Sequence, residues 1–272
     1  MSRPPHGLED VLTWLADERG LDVRDYRRET IARAVAQRAG ARGVEVPSYP
    51  AVVAGDPGEL AALISAIAVP VTSFFRDADT FDALATRVIP ALGRRVRAWA
   101  AGTSTGEEAW SLAMLLEAAR EAGTLDAWDL VATDRDAAAI AVAQAGRYAA
   151  AALDAAPEDL RARFVTREGP FARVRGGALP GLRFAAHDLV GPTLAPPEAV
   201  VASFHLVLVR NVMIYFDGRL REKALARLAG VIEPGGALVV GVTEALSSVG
   251  PSFSPWPSVA TACGVFRRRG GG

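Results

Sequence analysis

The chain has 272 residues, of which 50% are hydrophobic and 22% are charged, with a formal net charge of −1. This balance is that of an ordinary globular protein with one large domain or two smaller ones, and it gives no reason to expect nucleic acid or a membrane surface as partner. A lone Cys263 excludes an internal disulfide, and the scattered histidines indicate no metal site. We expect a cytoplasmic protein, because the start lacks the apolar core of a signal peptide and no apolar run reaches membrane-spanning length.

The first part of the chain predicts helices alone. Residues 7–20 place leucine and valine at helical spacing, and residues 25–40 repeat the pattern up to a glycine. Asp56 and Pro57 predict the cap and first turn of a third helix. We therefore predict a small all-α N-terminal domain over residues 1–71.

The second of these helices carries a basic side. It is formed by Arg24, Arg27, Arg28, Arg33 and Arg38. A run of this kind is typical of a solvated helix face, and a face that binds an acidic partner is the alternative.

The second part, residues 72–272, alternates strands and helices. Its strand signals are "RVRAWAA" (95–101), "WDLVATD" (128–134), "FHLVLVRN" (204–211) and "GGALVVGVTE" (235–244), and helical patterns stand between them. This order predicts an α/β fold with a mostly parallel sheet covered by helices on both faces. Residues 149–186 are rich in arginine and broken by proline and glycine. We predict there a small insertion with a short helix and an antiparallel hairpin.

The stretch "AGTSTGEEAW" (101–110) follows the first strand and admits two interpretations. Residues 102–106 fit G-x-S-x-G, the turn that presents a nucleophilic serine in α/β-hydrolases. The same residues can form a glycine-rich turn whose backbone approaches a nucleotide-like ligand at the carboxyl edge of the sheet. Asp134, at the end of the next strand, can then accept hydrogen bonds from the two hydroxyls of a ribose.

Glu107 and Glu108 argue against a phosphate-bearing ligand in this turn. Carboxylates at the start of a helix repel a pyrophosphate and suit a ligand with positive charge. S-adenosylmethionine fits, because it has a ribose, a sulfonium and an ammonium group and no phosphate. The hydrolase alternative needs an acid and a histidine after Ser104, and only His187 and His205 follow it. We therefore expect Ser104 to hold the turn.

Six stretches of the chain resemble, in order, the CheR-type chemotaxis receptor methyltransferases. They are "VTSFFRD" (71–77), "AGTSTGEEAWSLAMLL" (101–116), "ATDRDAAAIAVAQAGRY" (132–148), "HDL" (187–189), "VRNVMIYFD" (209–217) and "EPGGALVVGVTEAL" (233–246). The resemblance implies a Rossmann-like sheet that binds S-adenosylmethionine, placed after the small helical domain. It also implies a protein-glutamate O-methyltransferase activity on bacterial chemoreceptors.

The resemblance assigns roles to individual positions. The implied cofactor-binding residues are Thr72, Arg76, Gly102, Glu107, Asp134, Asp188, Leu189, Arg210 and Asn211. Among them, Arg76 suits the cofactor carboxylate, Asp134 the ribose, residues 188–189 the adenine and residues 210–211 the methionine part. Arg76 and Tyr215 are the implied catalytic residues, and Tyr215 is expected near the acceptor.

The implied partners are the cytoplasmic helices of methyl-accepting chemoreceptors, held by the basic side of the second helix, and we expect a monomer. Two alternatives stay open. Pro70, Val209 and His205 depart from the residues usual in the family, and the first alternative is therefore a degenerate receptor-docking or cofactor-binding module without turnover. The second alternative is a serine methylesterase or other hydrolase that uses Ser104.

Overall fold

The computed structural model describes residues 28–67, 72–196, 198–199, 201–216, 218–245 and 249–270. The chain divides into two compact units, Met1–Val71 and Thr72–Gly272. The predicted helix in residues 7–20 lies outside the described residues. None of the described helices combines the length and the hydropathy that crossing a membrane requires.

The first unit is helical where it is described, as predicted. Its helices are α1 (Arg28–Ala41), α2 (Tyr49–Gly55) and α3 (Pro57–Ile67), with a short 3-10 turn at Val46–Ser48. Asp56 begins α3 as expected, because its Oδ1 accepts the N–H of Gly58 at 2.9 Å. The core of this unit includes Ile31, Val35, Tyr49, Val53 and Leu63.

One carboxylate is buried inside this unit. Glu59 is 2% exposed. It accepts hydrogen bonds from Arg38 Nε at 2.9 Å, from Arg38 Nη2 at 2.7 Å and from the Tyr49 hydroxyl at 2.6 Å. The hydrogen bonds from Arg38 hold the pKa of Glu59 below its ordinary value. Arg38 therefore belongs to an internal ion pair and not to a solvated basic face.

Only part of the predicted basic side can be located. Arg33 is exposed on α1. Arg24 and Arg27 lie outside the described residues. The backbone of Arg28 is described as part of α1, but its side chain is not. Whether these arginines form one face stays a prediction.

The second unit alternates strands and helices. Its helices are α4 (Ala78–Ala83), α5 (Glu107–Glu121), α6 (Ala137–Ala145), α7 (Glu158–Phe164), α8 (Gly218–Val231) and α9 (Val242–Ala245). Its strands are β1 (Arg95–Ala101), β2 (Ala127–Asp134), β3 (Arg147–Ala149), β4 (Val165–Glu168), β5 (Phe171–Val174), β6 (Leu182–Ala186), β7 (Phe204–Val209), β8 (Ile232–Val240), β9 (Phe253–Pro255) and β10 (Val265–Arg268). A π-helical turn (Leu84–Val88) and a 3-10 turn (Ile89–Leu92) follow α4.

Seven strands form the main sheet in the order β6-β2-β1-β7-β8-β10-β9. The pairs from β6 to β8 are parallel, whereas β10 is antiparallel to both of its neighbours. The carboxyl ends of β6, β2, β1, β7 and β8 therefore meet at one edge of the sheet. The predicted α/β fold with a mostly parallel sheet is confirmed.

The central strands are buried on both faces, which explains their continuous apolar sequences. Along β1, Ala98 and Ala100 belong to one apolar cluster, and Trp99 and Ala101 belong to another. Helix α5 packs in the first cluster and helix α8 in the second. Alternate residues of each strand thus face helices on opposite sides of the sheet.

The segment predicted as an insertion differs from expectation at its ends. It contains the expected helix α7 and the β4–β5 hairpin, and β5 also pairs with β3 in a small antiparallel sheet of order β3-β5-β4. However, β6 pairs with β2 in the main sheet, with Leu182 opposite Leu130. Because β6 is an edge strand and mostly half-exposed, it lacks the apolar run that marks the central strands.

Candidate active site

Four of the predicted site segments meet at the carboxyl edge of the main sheet. They are residues 102–107 after β1, Asp134 at the end of β2, residues 187–189 after β6 and residues 210–211 after β7. Chain order alone does not bring them together; the parallel pairing does. In a sheet of this kind, ligands bind at this edge.

The glycine-rich turn connects β1 directly to α5. Gly102 has φ of +75°, and a Cβ on it would lie 2.3 Å from Cγ2 of Val212. The backbone therefore passes so close to the segment after β7 that no side chain fits at this position. Gly102 and Thr103 donate their N–H groups to the carbonyl of Thr133 at 2.7 and 2.9 Å, which fixes the turn against the end of β2.

Asp134 holds the other side of the same turn. Its Oδ2 accepts the N–H of Ser104 at 2.8 Å, and its Oδ1 accepts the N–H of Asp136 at 3.0 Å. A carboxylate can accept about four hydrogen bonds, so two sites remain for ligand hydroxyls. Helix α6 is capped by Asp136, whose Oδ1 accepts the N–H of Ala138 at 2.8 Å. A helix-capping role therefore does not explain Asp134.

Ser104 is a turn residue with φ of +50°, and its N–H is bound to Asp134. Its hydroxyl has no hydrogen bond to either of the two histidines that follow it, both of which are described. Nδ1 of His205 accepts the N–H of Arg97 at 3.0 Å, near the amino end of β1 and thus at the opposite edge of the sheet. Because a nucleophilic serine needs a histidine beside it, this arrangement disfavours the hydrolase interpretation.

Glu107 connects the turn to Thr72, which begins the segment 72–77 at the start of the second unit, called the linker below. Glu107 is buried, and its Oε2 accepts the hydroxyl of Thr105 at 2.7 Å. The hydroxyl of Thr105 also lies 3.0 Å from that of Thr72. The hydroxyl of Tyr148 on β3 donates to the Thr105 carbonyl at 2.6 Å. Burial raises the pKa of Tyr148. Two of the predicted site residues, Thr72 and Glu107, are thus joined through one threonine.

Arg210 binds protein groups that the sequence did not indicate. Its buried guanidinium donates from Nη1 to Glu108 at 2.9 Å and from Nη2 to the carbonyl of Arg76 at 2.9 Å. Nη2 also forms an ion pair with Asp77. Arg210 therefore ties the linker and the first turn of α5 to the end of β7. Direct contact of Arg210 with the cofactor stays a prediction.

The sequence interpretation used Glu108 only as an acid at the start of a helix and did not indicate its ion pair with Arg210, and it missed Asp77. Burial raises the pKa of Glu108, and the positive charge of Arg210 opposes that rise. The signal for Glu108 was its place directly after Glu107 at the start of a helix. Asp77 gave no comparable signal, because its partner Arg210 is 133 residues away in sequence.

Backbone strain concentrates around this site. Five described residues other than glycine have positive φ, and four of them are site or neighbouring residues: Phe75, Asp77, Ser104 and Asn211. Such conformations cost about 1–3 kcal/mol each and persist only where the surroundings enforce them. Their clustering indicates a functional site.

Glu244 is a further residue that sequence analysis missed. It is 1% exposed and accepts backbone N–H groups from Gly241 at 2.7 Å, Asn211 at 2.9 Å and Ile214 at 3.1 Å. Its position after β8 could have identified it, since Asp134 was recognised as an acid at the end of β2. Tyr215 ends the 3-10 turn Met213–Tyr215, but its side chain lies outside the described part.

Residues 187–189 lie beside Asp134, and the contact of residues 188–189 with adenine stays a prediction. The N–H of His187 donates to the carbonyl of Asp134 at 2.9 Å, and its ring packs edge-on against Trp99. Burial lowers the pKa of His187, so the ring is neutral at pH 7. Asp188 is exposed and accepts the N–H of Val190 at 3.0 Å, while Leu189 is buried. An exposed acceptor beside a buried apolar side chain suits the edge of a purine base.

The residues at this edge fit S-adenosylmethionine. Thr103 Oγ1, His187 Nε2 and Arg210 Nε are buried and lack a hydrogen-bond partner within the described part of the chain. Buried polar atoms normally have partners, so these three are open to a polar ligand at this edge; Arg221 Nε and Arg227 Nε on α8 also lack a partner among the described residues. The carboxylates of Asp134 and Glu107 suit hydroxyl and cationic groups, which this cofactor carries.

Only one of the two described departures from the family lies away from the ligand edge. Val209 is the last residue of β7, directly before Arg210, and its side chain is fully buried where the strand pairs with Val240. His205, at the other end of β7, has Nε2 3.4 Å from Glu233. Neither side chain belongs to the turn or to the linker. Pro70 lies outside the described residues.

Comparison with known proteins identifies the family. Residues 70–260 match the model of the CheR methyltransferase, SAM binding domain. The chain is 35% identical over 259 residues to an uncharacterized 104.1 kDa protein of Rhodobacter capsulatus. This match covers 92% of the present chain and 27% of the Rhodobacter capsulatus protein. It is 30% identical over 243 residues to the chemotaxis protein methyltransferase of Escherichia coli, covering 86% and 82%. For Listeria monocytogenes, the corresponding methyltransferase is 32% identical over 185 residues, covering 66% and 67%.

These matches confirm the predicted resemblance and S-adenosylmethionine as the cofactor. The chain spans about a quarter of the Rhodobacter capsulatus protein and most of the Escherichia coli enzyme. The matched region contains the whole main sheet except its last strand, β10, together with every predicted site residue. By its match to the family model over residues 70–260, the chain belongs to the CheR methyltransferase family.

Proposed function

We propose that the protein transfers a methyl group from S-adenosylmethionine to glutamate side chains of chemoreceptor cytoplasmic helices. Two observations together carry the proposal. Residues 70–260 match the family model, and the turn at the carboxyl edge of the sheet is lined with acids and bound by Asp134. Relatives named chemotaxis protein methyltransferases support the choice of acceptor. Since such helices lie in the cytoplasm, we place the reaction there.

In this proposal, the chain binds and orients the cofactor with residues from four strand ends. Asp134 accepts the ribose hydroxyls, residues 188–189 hold the adenine, and Asn211 and Glu107 lie along the methionine part. When bound, S-adenosylmethionine supplies an electrophilic methyl group on its sulfonium. Arg76 pairs with the cofactor carboxylate, and the linker that carries it is held by Arg210.

No general base is required on the enzyme. A glutamate side chain has an ordinary pKa of about 4.3 and is ionised at pH 7, so no proton has to be removed from the acceptor. The work of the chain is to align two partners of opposite charge and to remove water from between them. Tyr215 orients the acceptor in this scheme, and exposed Arg33 on α1 is available to the acidic receptor helix.

A transfer assay separates this proposal from its alternatives. The chain is incubated with S-adenosylmethionine labelled in its methyl group and with the unmethylated cytoplasmic domain of a chemoreceptor. We expect labelled receptor whose label is released as methanol by mild base, because a carboxyl methyl ester is base-labile. Receptor binding without transfer would instead support a docking module, and cofactor-independent release of methanol from methylated receptor would support the esterase.

Two substitutions test the roles of Ser104 and Arg76 in the same assay. Ser104→Ala keeps the backbone N–H that binds Asp134, so it should retain most of the transfer rate. Arg76→Ala removes the proposed partner of the cofactor carboxylate and should lower kcat/KM by about 10-fold to 100-fold, the scale of a charged hydrogen bond. Circular dichroism checks that both proteins fold. An inactive, folded Ser104→Ala protein that still binds cofactor would revive the serine nucleophile.

A further inference from the structure

The segment after β7 is held in its conformation by the carboxylate of Glu244, which follows the end of β8. In this segment, Asn211 has φ of +58° and the chain then enters the 3-10 turn Met213–Tyr215. The N–H groups of Asn211 and Ile214 both donate to Glu244, at 2.9 and 3.1 Å. Neither N–H has a backbone acceptor among the described residues. A single side chain thus accepts both of these backbone N–H groups of the loop.

Glu244 also binds its own strand end. Its Oε2 accepts the N–H of Gly241 at 2.7 Å in addition to that of Asn211, while Oε1 takes the N–H of Ile214. A Cβ on Gly241 would lie 2.7 Å from Oε2 and 3.1 Å from the nitrogen of Asn211, so the two strand ends approach as closely as their backbones allow. The carboxylate therefore connects the ends of β7 and β8 through its hydrogen bonds to both.

The carboxylate of Glu244 is bound by three backbone N–H groups. It forms no ion pair within the described part of the chain, and the nearby Arg221 donates from Nη2 to the main-chain carbonyl of Glu244 at 3.1 Å. Hydrogen bonds to a charged acceptor are stronger than those between neutral groups, so three of them hold the loop firmly. The negative charge reaches the active site, since it adds to the effect of burial in raising the pKa of Glu108.

We propose that Glu244 is a positioning residue of the active site, whose carboxylate holds Asn211 and the Met213–Tyr215 turn in the arrangement that binds the cofactor and the acceptor. The proposal rests on the proposed function only in requiring that this loop contacts S-adenosylmethionine. Glu244 itself touches the loop backbone. Its effect on the reaction is therefore indirect, through the residues that it places.

The test is Glu244→Gln, compared with Glu117→Gln as a matched control. Glutamine keeps the shape of the side chain, but one oxygen becomes an amide group that cannot accept a backbone N–H. Glu117 is also a buried carboxylate, bound to the Trp128 indole at 2.7 Å and to Arg120, and it lies near the far end of α5. Both variants lose a buried acceptor, and only Glu244 lies beside the site.

Binding of S-adenosylhomocysteine by titration calorimetry is the main measurement, made at a temperature where circular dichroism shows each protein folded. We expect Glu244→Gln to weaken binding by about tenfold or more, the scale of a lost charged hydrogen bond, and Glu117→Gln to leave it unchanged. In the transfer assay, the Glu244 variant should also lose kcat at saturating cofactor, because the Tyr215 turn is displaced.

A folded Glu244→Gln protein with wild-type affinity and wild-type kcat would overturn the proposal, and so would equal losses in both variants. If the glutamine variant does not fold, Glu244→Asp gives the same test, because its carboxylate is withdrawn by one methylene and cannot span both strand ends. Weakened binding by folded Glu244→Asp supports the proposal, and unchanged binding contradicts it. Failure of the wild-type chain to bind would refute the cofactor site itself.

Discussion

Replacement of Arg210 by methionine should lower the free energy of unfolding by about 3 kcal/mol and abolish cofactor binding. The guanidinium is almost completely buried between Glu108 and Asp77, with side-chain exposure of 2%. Removing one partner of a buried ion pair leaves uncompensated charge, which costs about 3–5 kcal/mol; partial exposure of Asp77 places the effect at the lower end. The linker carbonyl of Arg76 also loses its donor. Urea denaturation and titration with S-adenosylhomocysteine measure the two effects.

The same variant should become more stable relative to wild type as pH falls from 7 to 5. Burial already raises the pKa of Glu108 above its unfolded value, and Arg210 opposes that rise. Without Arg210 the pKa of Glu108 rises further, so the folded state takes up a proton that the unfolded state does not, and acid then favours folding. The double variant Arg210→Met with Glu108→Gln should recover part of the stability at pH 7. If neither acid nor the second substitution restores any stability, the ion pair is not what holds the linker.

Substitution of Gly102 by alanine should destabilise the second unit by about 3 kcal/mol and remove cofactor binding. A side chain at φ of +75° costs about 1–2 kcal/mol. The new Cβ would also lie 2.3 Å from Cγ2 of Val212, and overpacking of this kind costs about 1–3 kcal/mol. Because Val212 follows Asn211, relief of the clash displaces Asn211, which we propose to lie along the methionine part of the cofactor.

The two causes can be separated with Val212→Ala. Combined with Gly102→Ala, it should restore the packing part of the loss and leave the conformational part. Thermal unfolding of the two single variants and the double variant measures this coupling. An unchanged melting temperature in Gly102→Ala would show that the turn does not approach the loop after β7 as closely as described.

Local sequence patterns were sufficient for β1 and β2, whereas the strand predicted over residues 235–244 was wrong at both ends, because β8 is Ile232–Val240 and residues 242–245 form α9. β1 and β2 are largely apolar on both faces; β1 ends before Gly102 and β2 ends at Asp134. Their limits could therefore be predicted within a residue. β6 could not, because an edge strand with half-exposed residues carries no periodic signal. For the same reason the predicted insertion extended too far, to residue 186.

At the site, sequence reasoning located residues whose role follows from their place at a strand end. Asp134 is the example, since an acid after the second strand has a physical reason to be there. The pairing of Arg210 with Asp77 could not be anticipated, because it joins positions 133 residues apart and depends on the folded sheet. Arg38 shows the same limit, because its ion pair with the buried Glu59 arises from the packing of α1 on α3.

The central claim is that the turn after β1 and Asp134 together bind S-adenosylmethionine, and titration of wild type and Asp134→Ala with S-adenosylhomocysteine tests it most directly. Wild type should bind one equivalent. Asp134→Ala should bind more weakly by about 1–3 kcal/mol, since the ribose hydroxyls lose a charged acceptor, while circular dichroism stays unchanged. Equal affinity of the two folded proteins, or no binding by wild type, would contradict the account.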